Sequence, residues 1–155
     1  MTYSKKELKK YLKNLLKGTD ELTNFSFEYQ SGHTSFHTRL TIRVTSDKIE
    51  HTRIPQGVPV GSAEEANAMK VREIEFSVEN LTAFVEVLVK KKIWDLENCT
   101  ERALPDTARL TFLIRNNDEE VFKQEIWQIC RNDDARTKEL IRALASIIPQ
   151  DWTPP

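Results

Sequence analysis

Glycine and cysteine are scarce in this sequence, and their scarcity excludes several kinds of site. Only four glycines occur, at positions 18, 32, 57 and 61, so neither phosphate-binding spacing, GxGxxG or GxxxxGK, is present. The GxSxG nucleophile turn is also missing. The two cysteines, Cys99 and Cys130, are too few for a disulfide framework and have no metal-ligand spacing.

Long apolar runs and a large net charge are missing too. No stretch approaches the roughly 18 apolar residues of a membrane span, and no apolar run follows the charged first ten residues as in a secretory signal. The net charge of −1 predicts no bulk attraction to nucleic acid, which makes nucleic acid an unfavoured partner. We therefore expect a cytoplasmic protein without a transmembrane segment and with reduced thiols.

The length and composition are those of an ordinary globular domain. The chain has 155 residues, of which 39% are hydrophobic and 30% charged. We predict a single α+β domain over residues 1–149 and a short proline-rich tail over 150–155, in which Trp152 looks exposed.

Hydrophobic periodicity predicts the order of the secondary-structure elements. A period of 3.6 predicts three helices, one at each end and one over residues 78–92, and the first begins after Ser4 and ends at Gly18. A period of two predicts strands over residues 25–30, 36–44, 48–54, 108–115 and 121–130, with a weaker strand at 71–76. The fold class is therefore α+β, with an antiparallel sheet of five or six strands and three helices in the order α-β-β-β-(β)-α-β-β-α.

The segment from Pro55 to Met69 is the least regular part of the sequence. It holds two prolines, two glycines and a small polar run from Ser62 to Asn67. A loop of this length is uncommon in a compact domain and is usually functional or mobile.

The last predicted strand indicates where a protein partner binds. Phe122, Ile126 and Cys130 would face the core, and if Ile114 pairs with Phe122 the opposite face would gather an apolar patch. Exposed patches of this kind, and tryptophan above all, are typical of interfaces. The alternative is that a helix or the Trp152 tail covers the patch. The predicted interface residues are Leu113, Val121, Trp127 and Ile129.

The first helix carries the strongest local charge. Its lysines face away from the leucine stripe, and residues 1–46 hold eight Lys and Arg against four Asp and Glu. Such a helix can bind lipid, nucleic acid or an acidic partner, or it can be a core-packed helix with a solvated basic side. The candidate contacts with an anionic surface are Lys6, Lys9, Lys10, Lys13, Arg39 and Arg43.

Three histidines, His33, His37 and His51, lie within 19 residues of one another. On a straight strand, His33 and His37 would stand roughly 13 Å apart by the rise per residue, which is too far to share one metal ion. Only a kink at His33 would bring them together. We therefore predict no metal and no cofactor, and no catalytic residue is assigned.

The element order resembles that of the type III secretion chaperones, which run helix, three strands, helix, two strands, helix. That resemblance implies a homodimer that holds an extended segment of its partner. The stretch from Leu81 to Ile148, with Trp94-Asp95-Leu96 and Pro105-Asp106, also looks like the small emfourin-type protease inhibitors. Both resemblances are at the level of fold.

The sequence therefore favours a non-enzymatic protein-protein interaction domain, such as a chaperone, inhibitor, immunity-type or adaptor protein. A homodimer is one form that this interaction could take. The alternatives are an anionic-surface binder that uses the first helix, and a small enzyme or metal-binding protein that uses the histidine cluster.

Overall fold

The structure, a computed structural model, describes residues 2–96, 107–127 and 134–152. The helices in these ranges are α1 (Lys5–Lys17), α2 (Ala63–Ala68), α3 (Val78–Lys90) and α4 (Ala135–Ile147). The strands are β1 (Phe25–Ser31), β2 (Arg39–Val44), β3 (Lys48–Ile54), β4 (Lys70–Glu75), β5 (Arg109–Asn116) and β6 (Glu119–Trp127). Cys99, Ile129 and Cys130 lie outside the described residues.

The described strands form one six-stranded sheet in the order β4-β3-β2-β1-β5-β6. Every neighbouring pair is antiparallel, so the predicted α+β class is confirmed, and β4 supplies the weaker strand. The predicted pairing of Ile114 with Phe122 is also confirmed. Asn117 and Asp118 both have positive φ, at 52° and 68°, as a tight hairpin turn between β5 and β6 requires.

The core lies on one face of the sheet, under the long helices. Phe27 in the central strand β1 contacts Phe84 of α3, with ring centroids 5.2 Å apart, and Phe25 contacts Tyr11 of α1 at 6.5 Å. Leu140 and Leu144 add α4 to the same cluster. Because each fully buried large apolar side chain stabilises the fold by about 1.5–3 kcal/mol, this layer is the main source of stability.

Local signals set the ends of α1 as predicted. The Ser4 side chain accepts a hydrogen bond from the Glu7 N–H at 3.1 Å, and the Glu7 carboxylate accepts one from the Ser4 N–H at 3.0 Å. At the other end Gly18 is left-handed, with φ of 79°. The charge on α1 therefore sits on a well-defined helix.

Residues 55–69 and residues 150–152 differ from the sequence predictions. The region 55–69 contains the short helix α2, which buries no side chain and therefore has no apolar stripe to reveal it. Trp152, which looked exposed, is buried: residues 150–152 form a 3-10 turn, and the indole packs on His51 with ring centroids 5.1 Å apart. Within the predicted tail, Trp152 therefore joins the core, while Gln150 and Asp151 stay exposed.

Candidate functional site

The face of the sheet opposite the helices, called the open face below, is polar rather than apolar. Arg115 pairs with Glu28 at 3.4 Å, Arg109 with Glu125 at 3.5 Å, and Lys48 with Glu73 at 3.4 Å. Opposite charges on neighbouring strands are thus paired within the domain, so they need no partner protein to neutralise them. The predicted apolar patch on this face is not formed by the described residues.

The predicted interface residues that the structure describes, Leu113, Val121 and Trp127, do not share one exposed surface. Leu113 lies on the open face but is buried, with Glu28 and Lys123 as its cross-strand neighbours. The placement of Val121 on that face is wrong, because Val121 is the extra residue of a β-bulge and its side chain joins the core. Ile129 lies outside the described residues. Trp127 is half-buried, so a partner that docks on the folded domain would reach it. The role of Trp127 as an interface residue stays a prediction.

Trp127 belongs to a polar corner at the end of β6. Its ring lies 5.6 Å from the ring of His33, and the Arg109 guanidinium lies 5.3 Å from its centroid. Burial, then the charge of Arg109 and the neighbouring His37, lower the pKa of His33. Trp127 is therefore held by a histidine and an arginine, and its apolar surface is partly covered.

The three histidines occupy two separate places. His33 and His37 do meet, with ring centroids 5.3 Å apart, because residues 32–38 form a turn instead of continuing a strand. His51 lies on the core face of β3, against Trp152. Among the described residues, no group of three His, Cys, Asp or Glu side chains could hold a metal ion.

The predicted basic contacts also divide between two sides of the molecule. Lys6, Lys9, Lys10 and Lys13 are all exposed on the outer side of α1, above the core face. Arg39 and Arg43 lie on the open face, where each already has an acidic partner, Glu65 at 3.7 Å and Asp118 at 3.8 Å. The helix and the two arginines therefore cannot form one binding surface.

Two loops at one end of the sheet carry most of the exposed apolar side chains. Of the five large hydrophobic residues exposed in the described ranges, four lie in or next to residues 32–38 and 55–69, with exposures from 42% to 74%. We call these four the loop surface: Phe36, Val60, Met69 and Val71. The fifth residue, Val78, begins α3.

The two loops are fastened to each other and to the sheet. The Gly57 N–H donates to the Ser35 carbonyl at 2.7 Å. Arg39 donates from its guanidinium to the Val58 carbonyl at 2.6 Å and pairs with Glu65 on α2. Since the Arg39 side chain is largely buried, these contacts fix the second loop against the start of β2.

The sequence prediction missed the loop surface because it extended β2 too far back. Phe36 alternates correctly with Leu40, Ile42 and Val44, so it was predicted to face the core, but β2 begins only at Arg39. The signal against that strand was the small polar run before Phe36, from Ser31 to Ser35.

Comparison with protein-family models and with curated proteins gives no match for this chain. Among the described residues, no helix is long and apolar enough to cross a membrane.

Proposed function

We propose that this chain is a non-enzymatic protein-interaction domain that binds its partner through the loop surface. The observation that carries the proposal is that four of the five large apolar side chains exposed in the described ranges lie on two joined loops or at the start of the adjoining strand β4. Covering an exposed phenylalanine or valine is favourable by about 25 cal/mol for each Å² removed from water, so a partner that covers Phe36 and Val60 would gain affinity directly. The chaperone, inhibitor, immunity-type and adaptor roles all fit such a surface.

A matched set of variants tests the proposal. Phe36→Ser with Val60→Ser removes the two most exposed apolar side chains of the loop surface, and Val78→Ser removes an equally apolar, exposed side chain elsewhere. We expect the double variant to lose a partner that the wild type and Val78→Ser retain in pull-downs from the native organism. Because these side chains are exposed, all three proteins should unfold at similar temperatures.

The predicted interface around Trp127 is tested in the same experiment. A Trp127→Glu variant removes the aromatic ring that His33 and Arg109 contact. The contrary result is that Trp127→Glu loses the partner while the Phe36→Ser, Val60→Ser double variant retains it. In that case the partner binds the corner at the end of β6, and the proposal that it binds the loop surface is wrong.

A second candidate function is binding to an anionic surface through α1. The observation that favours it is the solvent exposure of every lysine on this helix. We expect a Lys6→Gln, Lys9→Gln, Lys13→Gln variant to elute from heparin at lower salt than the wild type, with a salt-dependence slope smaller by about 2–3. The control is a variant that removes the same charge elsewhere on the domain, by Lys90→Gln, Lys123→Gln and Lys138→Gln. If the two triple variants elute at the same salt concentration, a specific role for α1 is excluded.

A further inference from the structure

A basic cavity opens on the core face of the sheet, between the ends of β3 and β4 and the C-terminal turn. Its volume is about 450 Å³, which lies within the usual range for small-ligand pockets. The strand register explains its lining: Leu40, Arg53 and Lys70 form one cross-strand row, and His51 and Arg72 belong to the next. Trp152 and Asp151 close it from the C-terminal turn.

Positive charge dominates this cavity. Arg53, Lys70 and Arg72 line it, and Asp151 is the single carboxylate among the described lining residues. Asp151 is already paired with Arg72 at 2.9 Å. Arg53 and Lys70 stand directly opposite each other in the β3–β4 register, and like charges in this position destabilise a sheet. A bound anion between them would relieve that repulsion.

His51 is the second sign of a ligand. The residue is 2% exposed and lines the cavity, and its Nδ1 atom has no hydrogen-bond partner among the described residues. Leaving a buried polar atom without a partner costs about 1–3 kcal/mol. The Trp152 ring packs against His51 with the two ring planes tilted by 35°, which restricts the motion of the imidazole.

We propose that this cavity binds the phosphoryl group of a small phosphorylated molecule, with Arg53, Lys70 and Arg72 as its cationic partners and His51 as a hydrogen-bonding partner. After the Arg72–Asp151 pair is formed, two further cations remain, and a phosphate dianion matches them better than a single carboxylate does. The arginine guanidinium groups can each offer two parallel N–H donors to phosphate oxygens.

The charges that face His51 supply a readout of binding. Burial, followed by the charges of Arg72 and Arg53, lowers the pKa of His51, while the residue's own backbone carbonyl and Asp151 oppose them. An anion placed among these groups offsets the two arginines, so the pKa of His51 must rise when the anion binds. His33 and His37 are not among the described lining residues of the cavity and contact each other instead, so they serve as internal controls.

The test is an NMR titration of the three histidine Cε1–H signals with inorganic phosphate and pyrophosphate, at an ionic strength held constant with chloride. Binding should shift the His51 signal saturably and raise its pKa, with little change at His33 and His37. Arg53→Gln and Lys70→Gln remove exposed charges from the cavity, and Lys138→Gln removes one from the outside of α4. Each cavity variant should weaken pyrophosphate binding about two- to fivefold, the effect expected of one exposed ion pair, while Lys138→Gln leaves it unchanged.

Three results would overturn the proposal: no saturable shift of His51, equal shifts of all three histidines, or unchanged affinity in both cavity variants. Circular dichroism of each variant checks that the fold is intact. The binding of phosphate or pyrophosphate is not expected to change when Phe36 or Val60 is substituted. The proposal for this cavity and the proposal for the loop surface can therefore be disproved independently of each other.

Discussion

His51 differs from the other two histidines because the core face of the sheet buries it. In the unfolded chain its pKa is about 6.5, and burial together with Arg72 lowers the pKa in the folded protein. The unfolded state therefore binds this proton at a higher pH than the folded state does. Stability from the neutral imidazole is present above the unfolded pKa and is lost as the pH falls towards the folded pKa.

We expect the free energy of unfolding to decrease as the pH falls from about 7.5 to about 5.5. The His51 imidazole alone can contribute at most about 1.4 kcal/mol per pH unit to this decrease. His51→Leu keeps an apolar neighbour for Trp152 and removes the titrating group, so its stability should change less over the same range. Urea denaturation at the two pH values measures the difference. An identical pH dependence in His51→Leu would show that other groups cause it.

Two glycines allow the free-energy cost of a left-handed backbone conformation to be separated from the cost of a steric clash. Gly18 and Gly32 both have positive φ, at 79° and 83°. A Cβ atom on Gly18 would meet nothing within 4 Å, whereas one on Gly32 would lie 2.6 Å from the Thr38 carbonyl oxygen. Gly32 also donates its N–H to the Arg109 carbonyl at 3.0 Å, so it cannot move freely.

Gly18→Ala is therefore expected to lower the free energy of unfolding by about 1 kcal/mol, the cost of a left-handed residue with a side chain. Gly32→Ala should lower it by at least about 1 kcal/mol more, because the backbone must also shift. Chemical denaturation of both variants provides the comparison. Equal losses would mean that the turn at Gly32 adapts without strain.

At the scale of elements, sequence periodicity predicts the parts that bury one clear face. The alternation of Phe25, Phe27 and Tyr29 gave β1, and the leucine stripe with Ser4 and Gly18 gave α1. α2 could not be predicted in the same way, because a six-residue helix with no buried side chain has no apolar period. Phe36 was misplaced for the opposite reason, since its alternation with Leu40 continues past the true start of β2.

The candidate sites were harder to predict than the elements because they depend on contacts distant in sequence. Trp152 is buried by His51, which lies about 100 residues earlier, and the open face is neutralised by pairs such as Arg115 with Glu28. The bulge that turns Val121 into the core has no marker in the sequence. Periodicity alone therefore predicted an apolar open face where charged neighbours lie.

At the scale of the whole molecule, the two faces of the sheet have different roles. The core face holds the long helices and, at its β3–β4 end, the basic cavity. The open face is covered by ion pairs and, at one end, by the loop fastened through Arg39. The exposed edge strand β4 carries Lys70, Arg72, Glu73 and Glu75, and charged residues of this kind discourage edge-to-edge pairing of sheets. These features leave the loop surface as the main exposed apolar region of the described residues, and we propose that a partner protein binds there.

The most direct test of that claim is site-specific photo-crosslinking in the native organism. A photoreactive phenylalanine analogue at position 36 should crosslink to one partner protein in good yield, and the same analogue at position 78 should give none. The two positions are both exposed in the domain, so the comparison controls for random collisions. Equal crosslinking at both positions, or none at position 36 under conditions in which the wild type retains its partner, would contradict an interaction through the loop surface.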